Sequence, residues 1–175
     1  MIAINQHDLR IYTMKSIVLL LTVLASVVMD ANAEDLTLEQ TKQYLKGKIE
    51  ANYRFGQASV SFDQSVMIIE DSNTNGEFTT RIPLADIDIT RLRKYAETPK
   101  ERYVRAPDET VWDIRIETID QKRTITWSSA RHPEKEHWNQ ASLSFKDADF
   151  AGRIAKALIH AAILSGARED SDPFR

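Results

Sequence analysis

The amino-acid sequence predicts an α+β fold in which an antiparallel sheet has one helix before its strands and one after them. Two observations predict this class. Apolar residues recur at helical spacing near both ends of the domain, and the stretches between them alternate apolar with polar side chains. Such alternation indicates strands with one buried face, as in an antiparallel sheet whose other face meets water.

Residues 14–33 have the composition of a signal peptide and are not expected to belong to the fold. Lys15 gives a positive start, 17–28 form an apolar core, and Ala31-Asn32-Ala33 matches the A-x-A cleavage pattern. The alternative, a transmembrane anchor, needs about 20 apolar residues and therefore a longer core. The sequence thus predicts export to a bacterial periplasm or to the exterior, with eukaryotic secretion as an alternative.

Residues 1–13 are polar and add nothing to this signal, so we interpret them as the result of a start codon assigned too early, with Met14 as the true start. Cleavage before Glu34 leaves a single domain over 34–167, including the first helix, and a polar tail over 168–175. This length suffices for a hydrophobic core without disulfides or metals. We expect no transmembrane segment after cleavage.

The composition excludes several classes of protein. The chain has 175 residues, a net charge of −3 and no cysteine. The lack of cysteine excludes a disulfide scaffold, a thiolate metal site, a cysteine nucleophile and a lipidated N-terminal cysteine. The mild negative charge argues against a nucleic-acid binder, which would carry a basic excess.

The first helix is predicted to begin after Thr37, whose hydroxyl can cap it, and to end near Arg54. Its apolar stripe is narrow and needs a packing partner. Seven strands follow, and Asn75-Gly76 predicts a turn between two of them. They are expected at 58–63, 66–71, 77–82, 86–92, 111–119, 123–127 and 139–145. The segments 96–110 and 128–137 are predicted to be polar loops.

The last helix is predicted between Asp147, as its cap, and Gly166, as its end. It is apolar nearly all round, so we expect it to be covered on two sides. One face is predicted to lie against the sheet and the other partly against the first helix. These faces are formed by Phe150, Ile154, Leu158 and Ala161, and by Ala155, Ile159 and Ala162.

Seven alternating strands followed by the segment DADFAGRIAKALIHAAILSG resemble the pleckstrin-homology-like barrel of small secreted bacterial proteins. The resemblance covers about 58–166 and implies a partly closed barrel with the last helix over one end. The chain departs from that family in its additional first helix and in lacking a tryptophan in the last helix. The first hairpin loop, Asp63-Gln64-Ser65, also lacks the basic residues of an inositol-phosphate site.

The strongest metal candidates are His132 and His137, which lie with two glutamates in the segment HPEKEH. The zinc-protease pattern H-E-x-x-H is absent, and Pro133 prevents a preformed helix, so a charged hairpin loop is the alternative. Ser128 or Ser129 beside His132, with Asp108 or Asp113, makes a weaker nucleophile candidate. No nucleophile elbow or glycine-rich phosphate loop is present. The sequence therefore predicts no enzyme and no cofactor.

A basic run over 91–105 stands out in an acidic chain. The run could bind an anionic partner, such as a phospholipid surface, a polyanionic glycan or an acidic protein patch. The alternative interpretation is that these side chains form an ordinary solvated surface. The predicted partner-binding residues are Arg91, Arg93, Lys94, Lys100, Arg102, Tyr103 and Arg105.

Three functions therefore stay open from sequence. The first is a non-catalytic, exported binding module that uses the basic run and the sheet edges for a protein or anionic partner. The second is a small carrier of an apolar ligand inside the barrel. Five predicted inward aromatic residues count against it because they can fill such an interior, namely Phe62, Phe78, Trp112, Trp127 and Phe145. The third is a hydrolase that uses His132 and His137.

Overall fold

The computed structural model describes residues 36–54, 56–73, 76–104 and 109–169. These residues form three α-helices and eight strands, and the strands make two antiparallel sheets. The helices are α1 (Leu38–Asn52), α2 (Ile89–Glu97) and α3 (Ala148–Leu164). The strands are β1 (Gln57–Asp63), β2 (Val66–Asn73), β3 (Gly76–Pro83), β4 (Lys100–Val104), β5 (Glu109–Glu117), β6 (Ile125–Ser129), β7 (Glu136–Trp138) and β8 (Gln140–Phe145). The predicted start error, the signal peptide and tail residues 170–175 lie outside the described residues.

The α+β class with antiparallel sheets is confirmed, but the strands form two sheets and not a closed barrel. One sheet has the order β1-β2-β3-β6-β7 and the other the order β4-β5-β8. Asn139 separates β7 from β8, and its carbonyl accepts a hydrogen bond from the Thr118 amide at 3.0 Å. The chain therefore passes from one sheet to the other at Asn139, and the two sheets stay separate instead of closing.

The strand predicted over 86–92 is wrong, because this stretch forms a 3₁₀ turn, Leu84–Asp86, and the helix α2. The Asp88 carboxylate caps α2 by accepting a hydrogen bond from the Arg91 amide at 3.0 Å. Ile89 and Leu92 are three residues apart and both buried. The spacing of these two residues therefore fits one buried face of a helix and not the alternation of a strand.

Two strands were missed and the one predicted over 86–92 is absent, so the described residues form eight strands instead of seven. β4 lies in the predicted loop 96–110, and β7 lies in the predicted loop 128–137. The side chains of Lys100, Glu101 and Arg102 are all exposed, as are those of β7. An edge strand with no buried face lacks the alternation by which strands are recognised in sequence.

Helix α3 contacts α1, α2 and strands of the three-stranded sheet. The predicted packing of the first helix on the last is present, and Leu45 and Ile49 of α1 are fully buried in the shared core. Helix α2, which we did not expect, covers a further part of α3. A Cβ at Gly152 would lie 3.0 Å from the Ala96 carbonyl oxygen, so glycine permits this close approach.

Helix α1 also protects the free edge of β1. Lys46 Nζ donates a hydrogen bond to the Val60 carbonyl at 2.7 Å, and the Val60 amide donates one to Glu50 Oε1 at 2.7 Å. The hydrogen bond from Lys46, with that from the Val60 amide, lowers the pKa of Glu50 below its usual range. Side chains thus satisfy backbone groups that would otherwise be open to another strand.

Candidate functional site

A row of three aromatic rings crosses neighbouring strands of the five-stranded sheet. Phe78 on β3 stacks on Trp127 of β6 with 5.5 Å between ring centroids, and Trp127 stacks on Trp138 of β7 at 6.1 Å. Trp127 lies opposite Thr80 and Glu136, so the three rings share one face of the sheet. The row ends on an edge strand, where Trp138 is 45% exposed.

The row forms one wall of a cleft between the two sheets with a volume of about 290 Å³. Its apolar floor is made by side chains that are almost fully buried, namely Ile69, Ile82, Ile125 and Leu143. The polar groups in the lining belong to Tyr53, Asp71, Thr80, Gln140 and Ser142. A largely apolar concavity with few polar groups is typical of a small-ligand site.

The exposed ring of Trp138 is held in one orientation. Its indole Nε1–H donates a hydrogen bond to Glu136 Oε2 at 3.0 Å, two residues earlier on the same strand. A ring fixed in this way loses little conformational freedom when a ligand stacks on it. The free end of the aromatic row is therefore a preorganised contact surface.

Tyr53 follows the last residue of α1 and closes one side of the cleft. Burial, with a smaller contribution from the negative charge of Asp71, raises the pKa of Tyr53 to about 12. The phenol is therefore neutral at physiological pH and able to donate a hydrogen bond. It is unsuited to act as a base in this pH range.

The raised pKa of Tyr53 predicts how stability depends on alkaline pH. A pKa raised from about 10 to about 12 in the folded state stabilises the fold fully below pH 10, and this contribution is lost as pH rises to 12. Tyr53→Phe removes the titrating group. We therefore expect the free energy of unfolding from urea titrations to fall more steeply between pH 9 and 12 in the wild type. Parallel pH profiles would contradict this account.

The metal candidates His132 and His137 are both exposed. The amide of His132 donates to the carbonyl and the hydroxyl of Ser129, at 3.1 and 3.0 Å, as part of the turn between β6 and β7. His137 lines a separate polar hollow with Arg123 and Glu136. Within the described ranges, no group of three or more potential ligands converges as a metal site requires.

The basic run is divided between two elements. Helix α2 carries Arg91, Arg93 and Lys94, whereas Lys100 and Arg102 lie in β4. Tyr103 is also in β4, and Arg105 lies outside the described residues. The structure therefore places the predicted partner-binding residues on a helix and on a sheet edge.

Three of these arginines form ion pairs with acidic residues from other segments. Arg91 contacts Glu117 in addition to Asp88. Arg93 pairs with Glu169 at 2.5 Å. Arg102 pairs with Asp113 at 2.6 Å. Lys94 and Lys100 are exposed and make no ion pair with any described residue.

Asp113 also accepts a hydrogen bond at 2.6 Å from the hydroxyl of Ser144, which is buried. Arg102 contacts the same hydroxyl at 3.2 Å. Arg102 therefore joins β4 to β5 and β8 through Asp113 and Ser144, and its charge is partly used inside the protein. Lys100 makes no ion pair with a described residue, so it is the more available of the two β4 cations for a partner.

Comparison with known proteins gave no significant match to a family model, to a curated protein or to a solved structure. In the described part of the chain, no helix combines the length and apolar character needed to cross a membrane.

Proposed function

We propose that the chain is an exported, non-catalytic binding module that holds the apolar part of its ligand in the aromatic cleft. The observation that carries the proposal is the stacked row of Phe78, Trp127 and Trp138, which ends in an oriented, half-exposed ring at the mouth of an apolar cleft. The volume of about 290 Å³ fits a single ring system or one large side chain.

The chemistry of the lining favours binding over catalysis. Tyr53 stays protonated, and none of the histidines that the structure describes lines the cleft. Catalysis by general acid and base needs a group that titrates near the working pH within reach of the reacting atoms. The cleft is also open at Trp138 and small for a lipid chain, so recognition of one apolar group is better supported than storage of a lipid.

Export, the pleckstrin-homology-like resemblance and an anionic partner are further parts of this proposal. Export is supported by the signal-like composition of 14–33. The resemblance is supported by antiparallel strands followed by a helix packed on them. An anionic partner is supported by Lys94 and Lys100, which are exposed and have no ion pair with the residues that the structure describes.

The proposal is tested by titrating the purified mature protein with 8-anilinonaphthalene-1-sulfonate, an anionic fluorescent probe whose naphthalene ring system can enter the cleft. We expect Trp138→Ala to weaken probe binding about 5-fold or more, since a lost aromatic contact is worth about 1 kcal/mol. The matched control is His137→Ala, which changes the neighbouring residue on the opposite face of β7 and should leave affinity within about twofold. Equal affinities for the two variants would reject the cleft as the binding site.

A further inference from the structure

Strand β4 is an edge of the three-stranded sheet, and its outward backbone groups can be assigned from the hydrogen bonds of β5. Backbone groups of an antiparallel strand point alternately to its two neighbours. The Thr118 amide bonds to Asn139 on the β8 side, whereas the Glu117 carbonyl accepts from the Asp88 amide on the other side, at 2.9 Å. The backbone amides and carbonyls of the odd-numbered β5 residues therefore point toward β4.

The register between β4 and β5 shows which residues of β4 form hydrogen bonds with β5. Lys100 lies opposite Asp113 and Arg102 lies opposite Val111, so these are the hydrogen-bonded pairs. Glu101 therefore points its amide and carbonyl away from the sheet, and so does Tyr103. In the described part of the chain no hydrogen bond satisfies the amide or the carbonyl of Glu101.

The sheet edges at β1 and β4 differ in their protection. At β1, Lys46 and Glu50 occupy the outward carbonyl and amide of Val60. No corresponding bond to Glu101 is found among the described residues, and Lys100, Glu101 and Arg102 are all exposed. An edge strand with unpaired backbone groups is a template on which an extended segment can add.

Charge decides which segment fits. Pairing β4 with β4 of a second copy through Glu101 would place Arg102 opposite Arg102, or Lys100 opposite Arg102. Like charges directly opposite each other destabilise a strand pair, whereas opposite charges stabilise it. The segment that complements this edge therefore carries carboxylates at the positions opposite Lys100 and Arg102, and it is not this chain.

We propose that β4 binds an extended, acidic segment of a partner protein by strand addition, with Glu101 and Tyr103 supplying the backbone hydrogen bonds. Alternate side chains of the added strand would point to opposite faces, so its carboxylates meet Lys100 and Arg102 on one face. The inference rests on the proposed partner-binding role of the basic run and not on the aromatic cleft.

The probe is a capped heptapeptide in which glutamate alternates with valine, and the matched peptide has lysine in place of glutamate. Binding to the mature protein is measured by calorimetry and by ¹⁵N NMR. We expect the lysine peptide to bind at least about 10-fold more weakly than the glutamate peptide. We expect Lys100→Glu to weaken binding of the glutamate peptide about 5-fold or more. The amide protons of Glu101 and Tyr103 should exchange more slowly in the complex.

The backbone is tested with Glu101→Pro against Glu101→Thr. Both variants remove the carboxylate, but only proline removes the outward amide, and it breaks no bond within the sheet. We expect Glu101→Pro to bind the glutamate peptide about 10-fold more weakly than Glu101→Thr. Should Glu101→Pro fail to fold, the same loss is expected in the wild type with a peptide that is N-methylated on alternate backbone amides.

Strand addition would be overturned if Glu101→Pro and Glu101→Thr bound the glutamate peptide equally well, or if the wild type bound the N-methylated and unmethylated peptides equally well. A partner role based on charge alone would remain. If neither peptide binds the wild type at millimolar concentration, both are overturned, and the charges of β4 serve only to prevent pairing of sheet edges. Neither result bears on the proposed role of the aromatic cleft, which is tested separately with 8-anilinonaphthalene-1-sulfonate and Trp138→Ala.

Discussion

Leu45→Ala is expected to lower the free energy of unfolding by about 2 to 4 kcal/mol, the cost of removing a buried leucine side chain and leaving a cavity. Leu45 has no exposed surface and lies in the core shared by α1, the sheets and α3. The measurement is urea denaturation of the mature protein followed by circular dichroism. A loss of this size would show that α1 folds with the sheets as one cooperative unit.

Gln43→Ala is the control for this substitution because Gln43 is exposed on the same helix. We expect it to change the free energy of unfolding by no more than about 0.5 kcal/mol. If Leu45→Ala were equally harmless, α1 would not contribute to the cooperative core, and the apolar surface of α3 would need another partner.

Phe145→Ala is expected to cost about 3 to 5 kcal/mol, the range for a fully buried phenylalanine. Phe145 ends β8, has no exposed surface and meets Phe150 edge to face at 5.2 Å between ring centroids. It lies opposite Trp112 on β5 in the strand register. The substitution therefore removes contacts between the three-stranded sheet and α3, and thermal unfolding should show a large fall in the midpoint.

Phe150→Ala removes the other ring of the same pair and serves as the comparison. Phe150 is only partly buried, with the Arg153 guanidinium 5.8 Å from its centroid. Because less apolar surface is involved, we expect a cost of about 1 to 2 kcal/mol. If the two substitutions cost the same, burial would not decide their contributions, and our placement of the core would be wrong.

The elements with strong local signals could be predicted from the sequence. Thr37 caps α1 with the reciprocal hydrogen bonds of a capping box to Gln40, and Asp147 caps α3. The alternation over 58–63 and 66–71 gave strands that pair as expected in an antiparallel hairpin. These features depend on residues a few positions apart, which is why pattern and spacing were sufficient.

Elements whose stability comes from distant contacts could not be predicted in the same way. Helix α2 is short, and its apolar residues Ile89 and Leu92 also fit a short strand with a bulge. β4 and β7 each pair with one neighbouring strand, and the exposed side chains of 100–102 and of β7 leave no periodic signal. The ion pairs of Arg91, Arg93 and Arg102 join residues that are far apart in sequence.

Only part of the candidate site could be predicted from the sequence. Phe78 and Trp127 were expected to face inward, and both line the cleft. Trp138 was missed because the preceding residues read as a polar loop. Its stacking on Trp127 depends on the register of β6 and β7, in which Ile125 lies opposite Trp138. Register is set by pairing between strands, so the row of three rings has no signature in a single segment.

The most direct test of the cleft uses the three indole N–H signals in the NMR spectrum of the mature protein, recorded with and without saturating 8-anilinonaphthalene-1-sulfonate. Trp127 and Trp138 line the cleft, whereas Trp112 lies on β5 outside it and serves as an internal reference. We expect the signals of Trp127 and Trp138 to shift on binding and that of Trp112 to stay in place. A bound probe that shifted Trp112 alone, or none of the three signals, would contradict the assignment of the aromatic cleft as the binding site.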